Sequence, residues 1–171
     1  RVCEMDKLKT LSKRYKIPII EDAAQAIGSK YNNSFAGTFG EIGCFSAHPL
    51  KNLNALGDSG YLTTNSSKIA NYIKDLRNHG MTKRNKVKNF GYVSRMDNLQ
   101  AAVLNFRLKN LKKVINKRRK NVKIYTNLLK NKNVFISDEK SKEFNTYHTF
   151  VIQVSKRNKL KKYLLRNKIE T

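Results

Sequence analysis

Apolar side chains at Met5, Leu8, Leu11 and Tyr15 recur at helical spacing, so the pattern predicts an amphipathic helix over residues 5–15. Pro18 interrupts it. Ile17, Ile19 and Ile20 then form a short apolar run, which predicts a strand buried on both faces, as in a parallel sheet. Glu21 and Asp22 close that run, placing two acids at the carboxyl edge where open α/β sheets bind ligands. Small residues from Ala23 to Ala26 and a Gly-punctuated stretch, Ala36 to Gly40, lead into a second strand over Gly43–Ala47. A loop through Lys51 and a Gly-rich turn, Gly57-Asp-Ser-Gly60, follow, and Tyr61–Thr64 reads as a third strand. Ser66 is placed to cap a helix whose stripe is Ile69, Tyr72, Ile73 and Leu76, ending by Gly80. Residues 81–94 are polar and without period.

From Asp97 onward, Leu104, Leu108, Leu111, Ile115, Val122, Tyr125 and Leu129 keep one seam, broken only at Arg118, which predicts one long helix. After Asn131–Asn133 the period changes. Val134–Ser137 and the alternating Tyr147–Val154 read as strands, and Leu160–Leu165 as a last helix. The order predicts an α/β domain over 1–96, a connecting helix over 97–132 and the start of a smaller α+β domain over 133–171. The strands are too few for a complete doubly wound sheet, so both units read as parts of something larger.

Charge changes this picture unevenly. The 171 residues carry 36 Lys and Arg against 12 Asp and Glu, a formal charge of +24, with 39% hydrophobic residues to supply a core. Residues 1–60 hold 8 basic and 6 acidic side chains, whereas 61–171 hold 28 and 6. Arg107–Lys123 has nine basic residues and no acid. One reading is a nucleic-acid-binding helix, since clustered cations displace counterions from phosphates. The favoured reading is a solvated helix face, because 20 Asn accompany the 26 Lys and no aromatic side chain interleaves with the cluster. No run approaches the ~18 apolar residues of a membrane span. Cys3 and Cys44 make neither a disulfide framework nor a zinc-type pair.

Three groups at strand ends could carry chemistry together: Asp22, Ser46 and Lys51. A lysine beside an apolar strand end can act as a nucleophile toward a carbonyl. A carboxylate can hold a heteroaromatic nitrogen protonated, and a hydroxyl can bind phosphate. Pyridoxal phosphate makes these three demands. Each residue alone has an ordinary alternative: solvated lysine, helix-capping aspartate, strand-end serine. His48 suits a packing role, His79 a helix end, and Cys44 a small buried hydrophobe.

The wording of the sequence goes further than its spacing. Ile20-Glu-Asp-Ala-Ala-Gln-Ala-Ile-Gly28, Phe45-Ser-Ala-His-Pro-Leu-Lys-Asn-Leu-Asn54, Leu76-Arg-Asn-His-Gly80, Ser94-Arg-Met-Asp-Asn-Leu-Gln-Ala-Ala102 and Tyr147-His-Thr-Phe-Val151 resemble the DegT–DnrJ–StrS sugar aminotransferases, in that family's order. The resemblance implies a central part of a fold-type I pyridoxal-phosphate transferase, lacking an N-terminal part and the end of the small domain. It implies that Lys51 bonds the cofactor and shuttles protons, that Asp22 pairs with the pyridine nitrogen, that Gln25 lies near the ring's phenolic oxygen, and that Ser46 binds the phosphate. The implied reaction moves an amino group from an amino acid, glutamate by expectation, to a keto group of a nucleotide-linked sugar in polysaccharide or amino-sugar biosynthesis. A cytoplasmic homodimer, without membrane, nucleic-acid or metal partners, is the implied setting. An inactive remnant is the alternative. Two departures stand out: Gly91-Tyr92-Val93 where many relatives have Gly-Tyr-Asn, whose Asn reaches the neighbouring subunit's phosphate, and Ser59 where a Gly is usual.

Overall fold

The computed structural model describes residues 1–130 and 132–171. Its elements run α1 (Met5–Tyr15), β1 (Ile20–Asp22), β2 (Lys30–Tyr31), β3 (Ser34–Phe35), β4 (Ile42–Ser46), β5 (Gly60–Thr63), α2 (Ser67–Leu76), β6 (Met81–Lys83) and β7 (Lys86–Val87). They continue with α3 (Asn98–Leu108), α4 (Leu111–Leu129), β8 (Glu143–Phe144) and α5 (Arg157–Arg166). No helix among the described residues is long and apolar enough to cross a membrane.

The functional edge is set by a mixed sheet in the order β1-β4-β5. β1 runs parallel to β4, with Asp22 opposite Cys44, and β5 returns antiparallel, with Ser46 opposite Gly60. Gly43 is required here, because a Cβ would lie 2.6 Å from the Gly37 Cα and 2.6 Å from the Thr63 hydroxyl. The apolar run before Glu21 is not buried on both faces as its composition predicts: Ile17 is 61% and Ile20 65% exposed. β1 is an edge strand, paired on one side only, so half of its surroundings are open. Likewise, α1 forms where predicted, yet only Met5 of its stripe is buried.

α2 starts at Ser66, whose hydroxyl accepts from the Ile69 amide at 3.3 Å, as the capping pattern predicts. The helix stops at Leu76, and the polar stretch that follows folds into the β6–β7 hairpin. The predicted long helix is two, α3 and α4, parted at Lys109–Asn110. Asn110 leaves the helical region with φ −103° and ψ 0°, and asparagine favours such turns over helix interiors. Leu104, Leu111 and Ile115 still share one core with Ala47, Leu53 and Ala55.

The last third departs most from its pattern. Of the strands expected over 134–137 and 147–154, the described residues hold one bridge, Phe135 with Gln153, joined by two 2.9 Å hydrogen bonds. Asn131, at the expected break, lies outside the described residues. The ladder forms instead at β8, which pairs with β2, itself turned back on β3 through Asn32 and Asn33 at φ 47° and 65°.

Arginines join this segment to the rest. Arg118, the break in the hydrophobic seam, donates to the carbonyls of Tyr147 (3.3 Å) and His148 (3.0 Å). Arg119 forks onto Glu139 at 2.8 Å and donates to the Asn145 carbonyl at 2.7 Å. Arg107 holds the Asn54 carbonyl at 2.7 Å. Lys112, Lys113, Lys117, Lys120 and Lys123 are exposed, which fits the solvated-face reading of the basic stretch. The tightest junction is Thr146, 1% exposed: its hydroxyl lies 3.0 Å from that of Ser29, and its carbonyl accepts from the Asn52 amide at 3.1 Å.

Two outcomes follow for stability. Asn52→Ala strands the buried Thr146 carbonyl, so urea unfolding should show a loss of about 1–3 kcal/mol. Burial opposes ionisation of Glu139, but Arg119 and the Asn145 amide outweigh it and hold the carboxyl below its ordinary value. A depressed carboxyl contributes stability above its unfolded value and loses it as pH falls through the folded one. The melting-temperature gap between the parent and Glu139→Gln should therefore narrow on acidification below about pH 4; a constant gap would contradict the pairing.

Candidate active site

The site begins at the carboxyl ends of the two parallel strands. Side chains alternate across a sheet, so Asp22, its register partner Cys44 and Ser46 share one face. The two acids ending β1 separate accordingly. Glu21 turns to the other face, where its carboxylate accepts from the backbone amides of Gly37 (2.6 Å), Phe39 (2.6 Å) and Gly40 (2.8 Å), a structural cradle. Asp22 is exposed, and among the described residues its one hydrogen-bond donor is the Ala24 amide, 3.1 Å from Oδ1.

After β4 the chain enters the lysine loop. Ala47 is fully buried; its amide donates to the Ser59 carbonyl at 2.7 Å, and its carbonyl accepts from the Ala55 amide at 2.8 Å, so the loop closes at its base. Within it, the His48 amide donates to Ser46 Oγ at 3.3 Å and the Leu50 amide to His48 Nδ1 at 3.2 Å. His48 Nε2 lies 3.7 Å from Asp58. The Lys51 amide donates to the His48 carbonyl at 2.8 Å, closing a turn at the half-buried lysine. Gln100 on α3 accepts from Leu56 at 2.8 Å, and Leu53 and Ala55 anchor the far side in the core.

Two cavities meet here. Ser46 and Lys51 line one of about 1150 Å³, together with Ser59, Lys74, Arg77 and Arg95. Asp22 and Gln25 line another of about 700 Å³, whose far wall is residues 145–151 and the C-terminal half of α4. The four expected residues thus fall two and two, on neighbouring cavities over the same strand ends. His148 is the one residue, among those described, that lines both.

Sequence reasoning placed His148 in an alternating strand and in the family-like Tyr147–Val151 block, but did not single it out as a site residue. Its signal was a titratable side chain in an otherwise apolar alternation, after Thr146 and Tyr147. Burial, with the Lys51 and Arg118 charges beside it, holds its imidazole below the ordinary histidine range, so it is neutral at pH 7. Its Nδ1 is buried with no hydrogen-bond partner among the described residues. Asn52 was also missed; its neighbour Lys51 drew the attention, while the buried Asn52 amide ties the loop to Thr146.

This arrangement can hold a planar, phosphate-bearing aldehyde. Lys51 supplies an amine, Ser46 a hydroxyl, and Asp22 an unshared carboxylate oxygen, all over one edge of the sheet. The cations Lys74, Arg77 and Arg95 make the larger cavity electropositive, as anionic ligands require.

Known proteins show the same arrangement of chain. The sequence matches the DegT/DnrJ/EryC1/StrS aminotransferase family over residues 1–171. A dTDP-3-amino-3,6-dideoxy-alpha-D-galactopyranose transaminase of Aneurinibacillus thermoaerophilus is 36% identical over 169 residues, covering 99% of this chain and 47% of its own. A pleiotropic regulatory protein of Geobacillus stearothermophilus is 34% identical over 174 residues, again 47% of its length. Among solved structures, S. venezuelae DesV in complex with a ketimine intermediate superposes with a TM-score of 0.95 at 30% identity, covering 99% of this chain and 46% of DesV. A Brucella abortus aminotransferase of this family gives 0.93 at 29% identity, covering 99% and 45%. The chain spans about half the length of the relatives it matches. With its sequence matched over residues 1–171, the chain belongs to the DegT/DnrJ/EryC1/StrS aminotransferase family.

Proposed function

We propose that this chain is the central part of a pyridoxal-phosphate-dependent transaminase that moves an amino group from an amino acid to a keto group of a nucleotide-linked sugar. The observation that carries this reading is the placement of Lys51, Ser46 and Asp22 over one edge of the sheet, in a chain whose relatives include transaminases of dTDP- and UDP-linked sugars. When bound, pyridoxal phosphate supplies a ring that accepts electron density from the carbon bearing the nitrogen being transferred.

The chain's own residues have separable tasks in that reaction. Lys51 Nζ would hold the cofactor's aldehyde carbon covalently, and as a free amine it would carry a proton to and from the reacting carbon. Its backbone is fixed at both ends of the turn, which keeps the amine within reach through both half-reactions. Asp22 holds a proton at the ring nitrogen, where a carboxylate favours the charged form. Ser46 Oγ donates to the phosphate, and Gln25 borders the ring from the smaller cavity. Lys74, Arg77 and Arg95 balance the charge of phosphate and nucleotide in the larger one. Exposed Phe90, Tyr92 and Val93, on the loop before the Ser94-Arg-Met block, suit an apolar contact with a second copy of the protein.

In the full-length protein, Lys51→Ala should abolish the absorption band of the lysine-bound cofactor and lower kcat by about 10³-fold or more. A band that persists in that variant rejects the reading. Asp22→Asn should keep the band and the Km for the sugar nucleotide while lowering kcat by about 10²-fold or more, because the ring nitrogen loses its counter-charge; unchanged kcat would remove Asp22 from the site.

A further inference from the structure

The lysine loop is anchored unevenly. Its base is closed by Ala47 with Ser59 and Ala55, and Arg107 holds the carbonyls of Asn54 and Ala55. Between those anchors the bonds are short-range: the Lys51 amide to the His48 carbonyl, the Leu50 amide to His48 Nδ1, the Asn54 side chain to the Pro49 carbonyl. Among the described residues, one hydrogen bond from residues 48–52 leaves the neighbourhood. Asn52 Nδ2 donates to the Thr146 carbonyl at 3.1 Å, 94 positions away.

The wall that Asn52 reaches is held by side chains rather than by a strand ladder. Four consecutive carbonyls accept in this way: Asn145 from Arg119 at 2.7 Å, Thr146 from Asn52, and Tyr147 and His148 from Arg118 at 3.3 and 3.0 Å. All four residues border the smaller cavity, and His148 borders the larger one as well. The two arginines fasten this wall to α4. Asn52 fastens it to the turn that carries Lys51.

Stability is a poor account of an asparagine at this point. Asn52 is 6% exposed, and its Oδ1 is buried with no donor among the described residues. An acceptor taken out of water without a partner costs free energy, and such groups are uncommon in folded proteins. The amide is half satisfied, so its distinctive contribution is a distance, the one between the turn and the wall.

We propose that Asn52 is a positioning residue for Lys51, its bond to the Thr146 carbonyl fixing how far the amine-bearing turn stands from the wall at 145–148. The proposal rests on the pyridoxal-phosphate reading above. Asp22 and Ser46 are set by the pairing of β1, β4 and β5, so removing the Asn52 bond shifts the amine and leaves those two groups in place. The amine adds to the cofactor's aldehyde carbon, a carbon–nitrogen double bond replaces the carbonyl, and the oxygen leaves as water with both amine hydrogens. Such a step needs its atoms aligned near contact, and a misplacement of about 1 Å can cost about 100-fold in rate.

The test mixes full-length apoprotein with saturating pyridoxal phosphate and times the growth of the lysine-bound absorption band. Asn52→Leu, similar in size but without the donor, should form the band about tenfold more slowly than the parent, or slower still. In the loaded enzyme it should lower kcat by a similar factor while the Km for the sugar nucleotide stays within about twofold. Asn52→Ala should slow the band likewise, and serves if the leucine variant does not fold. Ser66→Ala removes the α2 cap, a loss of comparable stability outside the loop, and should form the band at the parent rate. Parent-rate band formation in a folded Asn52 variant, or equal slowing by Ser66→Ala, overturns the proposal and leaves the transaminase reading standing. A parent without any Lys51-dependent band overturns both.

Discussion

The buried junction at Thr146 is the constraint on which the geometry of the site depends. Its hydroxyl meets Ser29, its carbonyl meets Asn52, and almost none of the residue touches solvent. Asn52 follows Lys51 directly, while Ser29 follows the segment that carries Asp22 and Gln25. One residue distant in sequence therefore ties together the two stretches that carry the candidate site residues. Hydrogen bonds at this depth are worth about a kilocalorie each when made, and cost more when one partner is removed. The junction consequently behaves as a unit: Lys51, Asp22 and His148 keep their relative places only while all three polar partners are present.

Charge in this chain divides by side-chain type. The arginines of the basic stretch reach across and grip backbone carbonyls or a carboxylate, which suits their planar, many-donor head group. Arg119 also packs its guanidinium 4.2 Å from the Phe144 ring centroid. The lysines on the same helix face solvent. The electropositive wall of the larger cavity is a separate feature, built by Lys74 and Arg77 from α2 and by Arg95 from the loop before α3. A net charge of +24 thus resolves into structural clamps, a cationic cavity wall and a solvated surface.

Much of this was legible in the residues themselves. Helix α1, the Ser66 cap and the strand around Cys44 were written in local period and local chemistry, because each is decided by neighbours within a few positions, whereas the first strand lies at Ile20–Asp22, a little beyond the apolar run that predicted it. Motif blocks carried the family, since their residue types are bound to one chemistry in one order. The division of Glu21 from Asp22 could also have been read from strand alternation.

Other features required the folded chain. Whether Ile17 and Ile20 are covered depends on how many strands flank β1, a count that no local pattern contains. The break at Lys109–Asn110 lies inside the apolar seam, whose period does not show it, although Asn110 is itself a poor residue for a helix interior. Alternation over 147–154 predicted a strand, but the backbone there is claimed instead by Arg118 and by a single bridge to Phe135. Sequence by itself determined the chemistry available to this protein: which amine, which carboxylate, which hydroxyl. Tertiary structure alone decided that His148 stands between them, because that position is fixed by hydrogen bonds spanning more than a hundred residues, from Ser29 to Thr146.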